Sequence, residues 1–174
     1  MPECEPYEFT TEHARDDVAA LSPDAMGEVL VVGDIHGTET LQRAAIEAAV
    51  DLGAGAIVQV GDFWLSDRHW SRHGPNQASF MWTAHDSPAP IIVIDGNHEA
   101  WPTLAICPFT QAGRAAMASR RPLHLGGSIW WAWRGSVWRW GGCAFGALAG
   151  AVSPDRREPS VRHWRWPEEG KLCR

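Results

Sequence analysis

Three short runs of aliphatic residues punctuate the first hundred positions. Each ends at a glycine beside a residue able to bind a cation. Val29-Leu30-Val31-Val32 leads into Gly33-Asp34, Ala56 to Val60 into Gly61-Asp62, and Ile91-Ile92-Val93-Ile94 into Asp95-Gly96-Asn97. Apolar runs of this length without alternation predict strands buried on both faces, as in a parallel sheet. Between the first two, Thr38 is placed to cap a helix running to about Val50. Leu41, Ala45, Ile46, Ala49 and Val50 form its apolar stripe, and Gly53 and Gly55 stop it. A second helix is predicted from Asn76 to His85, ended by Pro88 and Pro90. Strand, helix, strand, helix, strand implies βαβ units and an α/β fold with a mostly parallel sheet. Ligands of such sheets bind beyond the carboxyl ends of the strands. All three candidate cation-binding positions fall there.

After Pro102 a helical stretch is predicted to about Arg120. Three short strands follow: Ser128 to Trp133, Ser136 to Trp140 and Cys143 to Leu148. Arg134-Gly135 is expected to form the first hairpin turn and Gly141-Gly142 the second. From Ser153 the chain is rich in Pro, Arg and Glu. Residues 1–26 are polar, acidic and weakly periodic, and read as a flexible extension with a short helical piece around Asp16 to Leu21, broken by Pro23. Residues 27–174 then form one domain, and no internal repeat is evident.

Composition narrows the function classes. With 45% apolar and 21% charged residues, the chain reads as globular and soluble. A formal net charge of −6 gives no general attraction for a nucleic-acid backbone, so nucleic acid enters only as a substrate. Cys4, Cys107, Cys143 and Cys173 are scattered and form no CxxC pair, which argues against a zinc ribbon or disulfide framework and for a reducing cytoplasm. The acidic start is no secretory signal, and no stretch approaches the roughly 18 apolar residues needed to span a membrane. Five of the eleven tryptophans lie between Trp130 and Trp140. They are expected to pack a sheet, since aromatics supply large buried area. The alternative is a stacking surface for a nucleotide or glycan.

The candidate chemistry lies at the strand ends. In extended chain, positions i and i+2 face one side, so Asp34 and His36 of Gly33-Asp34-Ile35-His36-Gly37 can reach one point with Ile35 turned away. A carboxylate with an imidazole suits a divalent transition metal. Asp62 has two oxygens and can bridge two ions about 3.5–4 Å apart. In Gly96-Asn97-His98-Glu99, Asn97 offers a neutral amide oxygen. His98 can point toward a substrate, to protonate a leaving alkoxide or stabilise a transferring phosphoryl group. Each motif alone has an ordinary explanation: a surface Asp-His loop, a Gly-Asp turn, and a helix cap by Asn97. Their order, each after an aliphatic run, is what makes them informative together.

The set Gly-Asp-Ile-His-Gly, then Gly-Asp, then Gly-Asn-His-Glu resembles the calcineurin-like metallophosphoesterases over about residues 27 to 100. Gly126 to Glu169, with Ala151-Val152-Ser153-Pro154-Asp155-Arg156 and Trp166-Pro167-Glu168-Glu169, is similar to a compact bacterial and phage-type branch. The resemblance implies a β-sandwich flanked by helices and a two-metal site. It implies that Asp34 and His36 bind a first metal, Asp62 bridges, Asn97 binds a second, and His98 contacts the phosphate or leaving group. It further implies hydrolysis of a phosphomonoester or phosphodiester by a metal-activated hydroxide attacking phosphorus, the substrate being a phosphorylated small molecule or macromolecule. Manganese, iron, zinc and nickel all suit the donor set.

The pattern departs from the family in one respect. The family supplies three further ligand histidines after the third motif, two of them in a Gly-His-x-His element. Only His124 and His163 follow His98 here, and neither stands in that context. His124 reads as a strand-edge residue and His163 as part of a polar tail. The second metal would keep only Asp62 and Asn97 from the protein, so one ion or fewer is expected to bind well. The ending Glu169 to Arg174 reads as C-terminally incomplete. The alternative function is therefore a truncated or degenerate phosphoesterase-like module without catalysis. Asp67-Arg68-His69 with Arg72-His73, and Arg156, Arg157 and Arg162, read as solvated loop and tail. Oligomeric state is left open.

Overall fold

The computed structural model of the chain describes residues 27–65, 76–99, 104 and 111–149. The proposed N-terminal extension, the 67–73 loop, the Ala151–Arg156 and Trp166–Glu169 segments, Arg157, Arg162, His163, the final residues, and Cys4, Cys107 and Cys173 lie outside the described residues.

The three aliphatic runs form strands with the expected bounds: β1 (Val29–Val32), β2 (Ala56–Val60) and β3 (Ile91–Ile94). Helices α1 (Glu39–Asp51) and α2 (Asn76–His85) fill the two crossovers. Then come α3 (Gln111–Ala118), β4 (Leu123–Gly126), β5 (Ile129–Ala132), β6 (Val137–Trp140) and β7 (Cys143–Gly146). One sheet has the order β1-β2-β3-β5-β4, parallel except for the antiparallel β4–β5 pair. Val32 pairs with Gln59 and Gln59 with Val93, so β1, β2 and β3 end side by side.

The two faces of this sheet have different partners. Ile57, Ile91, Val93, Leu125, Ile129 and Trp131 pack with Phe80, Met81 and Ala84 of α2 and Ala49 of α1. The alternate residues Ala56, Val58, Ile92, Trp130 and Ala132 pack under Trp138 and Trp140 of the β6–β7 hairpin. Residues i and i+1 of a strand point to opposite faces, so a run apolar at every position is what a sheet covered on both sides requires. The result is an α/β fold: a mostly parallel sheet with helices on one face and a small second sheet on the other. Trp130, Trp138 and Trp140 fill the layer between the sheets, with the Trp138 and Phe145 rings stacked at 5.4 Å, while Trp131 and Trp133 pack on the helix side.

Four local expectations are corrected. β1 is the sheet edge, so Val31 is exposed rather than buried on both faces. Thr38 occupies the N-cap of α1, yet its side chain makes no cap hydrogen bond; its backbone N–H donates to the Ile35 carbonyl instead. The buried face of α1 runs through Gln42, Ile46 and Ala49, leaving Leu41 and Val50 more than half exposed. Finally, Arg134-Gly135 does not close a hairpin. β5 pairs with β3 and with β4, and the 134–135 turn carries the chain to the second sheet. Gly141-Gly142 does close the β6–β7 hairpin, both glycines at positive φ as such a turn demands.

Candidate metal centre

The carboxyl ends of β1 and β2 are tied together by hydrogen bonds to backbone carbonyls. Gln59, fully buried in β2, donates from Nε2 to the Gly33 carbonyl at 2.8 Å and to the Gly61 carbonyl at 2.7 Å. The backbone N–H groups of Ile35 and His36 both donate to the Asp62 carbonyl, at 3.3 and 2.8 Å, and Gly37 N–H donates to the Phe63 carbonyl. Three non-glycine residues here adopt left-handed backbone: His36 (φ 51°), Asp62 (φ 51°) and Trp64 (φ 84°). Such conformations cost on the order of 1–3 kcal/mol each and persist where the surroundings over-determine them. The cross-strand hydrogen bonds are those surroundings.

The side chains these turns project come together. His36 Nε2 lies 3.7 Å from Asp34 Oδ2 and 3.9 Å from Asp62 Oδ2. His36, Asp62 and His98 each offer one ligand atom, all three within 4.8 Å of one another. Bonds of about 2.1 Å to a common ion allow ligand atoms up to about 4 Å apart, so a cation needs only slight closure of these side chains. An Asp with two imidazoles is also a donor set that divalent transition metals favour. The residues therefore fit one bound ion. Ile35 turns into the helix-side core, as expected. The approach of Asp34 to His36 arises from the left-handed turn at His36, however, and not from extended alternation. Asp34 is the most open of the group at 63% side-chain exposure, against 13% for Asp62, and it lies outside the three-residue cluster. Asn97 is half-buried between Gly96 and His98.

The position of Asp62 is tightly prescribed. Its Oδ1 accepts the His98 backbone N–H at 3.0 Å, which leaves Oδ2 toward His36. Gly96 lies so close that a Cβ there would stand 2.1 Å from Asp62 Oδ1 and 2.3 Å from its backbone nitrogen. Gly96 is thus needed for the absence of a side chain. The His98 ring stacks on the Trp64 indole, with centroids at 5.7 Å and planes 11° apart, and meets His36 edge-on at 5.1 Å.

Two buried acids support this arrangement. Glu99 is 3% exposed, and its carboxylate accepts the backbone N–H groups of Phe63 (2.9 Å), Trp64 (3.0 Å), Leu65 and Gly96. Burial outweighs those donors and pushes its carboxyl up to about 7, with the nearby Asp62 charge adding to the rise. Asp95, at the end of β3, accepts the Trp131 indole N–H at 3.0 Å, and burial likewise raises its carboxyl. Sequence reasoning assigned neither acid a role. The signal available for Glu99 was its place directly after the Asn-His pair. Trp64 carries no signal in the sequence beyond its place two residues after Asp62.

Elsewhere the described residues hold no other group of three ligand side chains. His124 lies in β4 at the sheet edge, where Nε2 meets the Gly127 carbonyl at 2.8 Å and the ring packs on Trp130. It plays the strand-edge part expected of it. Cys143 is a free, exposed thiol. Among the described residues no helix is long and apolar enough to cross a membrane.

Compared with known proteins, residues 27–168 match the family model described as calcineurin-like phosphoesterase. None of the curated proteins and none of the solved structures compared matches the chain. A match across this span, ending in a sheet whose strand tips converge a histidine pair and an aspartate, shows that the chain belongs to the calcineurin-like phosphoesterase family.

Proposed function

We propose that the chain is a metal-dependent hydrolase of phosphate esters. The observation that carries this reading is the convergence of His36, Asp62 and His98 at the ends of β1, β2 and β3, within 4.8 Å. In this reading Asp34, His36 and Asp62 would hold one divalent ion, and Asp62 and Asn97 would hold a second. His98 contacts the phosphate or the leaving group. A divalent cation, when bound, supplies Lewis acidity and makes water a nucleophile near neutral pH. The protein's own part is orientation. Asp62 is fixed by the His98 N–H, and the His98 ring is held against Trp64. An imidazole so held can deliver a proton to a departing alkoxide. The substrate is a phosphomonoester or phosphodiester, small or macromolecular. The cytoplasmic assignment rests on the scattered cysteines, and the domain bounds of 27–174 on the motif order.

One observation favours a second reading, a phosphoesterase-like module without turnover. His124 is engaged with Gly127 and Trp130 at the sheet edge, so among the described residues a second ion has only Asp62 and Asn97. Metal analysis of the purified chain, with aryl phosphate mono- and diester assays in manganese, nickel, zinc and iron, separates the two. Hydrolysis that needs metal and vanishes in Asp62→Ala supports the enzyme. Stoichiometric metal with no hydrolysis supports the inactive module. Rates equal in wild type, Asp34→Ala and Asp62→Ala, at equal folded content, eliminate the phosphoesterase reading.

A further inference from the structure

We propose that Glu99 is a positioning residue for the metal centre, setting the loop that aims Asp62 at the cation and Trp64 at His98. The proposal rests on reading the His36–Asp62–His98 cluster as a cation site. Three consecutive N–H groups, those of Phe63, Trp64 and Leu65, converge on this one carboxylate. In extended chain successive N–H groups point to opposite sides, so convergence requires the backbone to curl. The left-handed residues Asp62 and Trp64 provide that curl. Successive N–H groups in such turns form a concavity that receives an anion. Here the Glu99 carboxyl group fills that concavity as acceptor, reaching from the β3 end into the loop after β2.

The clamp sits one residue away from the chemistry on each side. Asp62 directly precedes Phe63, and His98 directly precedes Glu99. The His98 N–H to Asp62 Oδ1 bond closes the loop between them. Oε1 is occupied by Phe63 and Gly96, and Oε2 by Trp64 and Leu65. Both oxygens are therefore committed to backbone donors, and Glu99 is 3% exposed. It acts on the cation through Asp62 and His98, not by ligation. With Trp64 held at φ 84°, the indole lies between His98 and Gly37, where a Cβ would meet the Trp64 ring at 3.2 Å. The indole thereby limits the orientations open to the imidazole.

The test uses the full chain and manganese as the probe, with wild type, Glu99→Gln, Glu99→Asp and Ile129→Ala compared. Ile129 is fully buried in β5 and pairs with the first residue of β3, away from the strand tips, so its truncation controls for lost stability. Gln retains the volume but turns an amide donor toward backbone N–H groups. Asp retains the charge on a stem one methylene shorter. Manganese titration by calorimetry, corrected for folded fraction, is expected to show about 10- to 100-fold weaker binding in Glu99→Gln. Partial recovery is expected in Glu99→Asp, with wild-type affinity in Ile129→Ala. Wild-type affinity in folded Glu99→Gln would overturn the proposal, as would an equal loss in Ile129→Ala. Failure of both Glu99 variants to fold would assign the residue to stability alone and overturn it too. A wild-type chain that binds no divalent ion would remove the metal centre itself, an outcome separate from equal binding by wild type and variant.

Discussion

Asp62 has one carboxylate oxygen bound to the chain and the other turned toward the ligand cluster. Asp62→Asn is therefore expected to keep the fold, preserve the Oδ1 contact, and cut metal-dependent hydrolysis by at least about 100-fold, read by steady-state assay. Outer partners matter in the same way, typically changing metal affinity or activity by 10- to 100-fold. Gly96→Ala places a methyl group into Asp62 and is expected to destabilise by about 1–3 kcal/mol, the usual cost of overpacking. It should also weaken metal binding; urea unfolding and manganese titration check the two effects. Asp34, His36, Asp62, Asn97 and His98 were legible as candidates because each follows an aliphatic run at a glycine. Glu99 and Trp64 were not. Their importance lies in where backbone N–H groups and ring faces point, and that depends on left-handed turns a residue pattern does not encode.

At the scale of elements, the strands were the most legible part. β1 and β3 are continuous aliphatic runs and β2 is broken only by Gln59, each followed within two residues by glycine, and the sheet is covered on both faces except at the β1 edge. The helix was less legible. Gln42 is fully buried in α1 while Leu41 is half exposed, because the stripe is set by where α2 packs and not by residue polarity. β5 was read as a hairpin partner of β6 because a Gly-containing turn joins them. Its pairing with β3 is non-local, and nothing near Arg134 announces it. Trp138 and Trp140 bind the small sheet to the large one, so Trp138→Ala is expected to cost about 3–5 kcal/mol in chemical unfolding. On α1, hydrogen bonds from Ser79 and then Arg43 hold the Glu39 carboxyl below its ordinary value. A depressed carboxyl stabilises the fold above its unfolded value and loses that contribution as pH falls through its folded one. The stability gap between wild type and Glu39→Gln should accordingly be small, below about 1 kcal/mol at neutral pH for so exposed a pair. It should close as acid is added, by thermal melts across pH 3–6.

For the whole molecule, the order of layers explains why the candidate ligands gather at one end of the sheet. Parallel strands deliver their carboxyl ends to one side, and the crossovers return the chain through α1 and α2 on one face. Because the ligands come from three separate strands, a cation that joins them binds only the folded chain. Stability should then rise as RT ln(1 + [L]/Kd), by about 2.7 kcal/mol at a hundredfold excess over Kd. The melting temperature should increase with manganese and return on chelation, and a flat response in scanning calorimetry would contradict this.

The left-handed backbone at His36 has a consequence for how the chain tolerates change. Asn enters this region of backbone space more readily than His. His36→Asn should fold at least as firmly as wild type, to within about 0.5 kcal/mol, while gripping metal less well. Selection for sturdiness alone would drift away from histidine at this turn. A hardy descendant carrying Asn there would have exchanged an imidazole at the strand tips for durability.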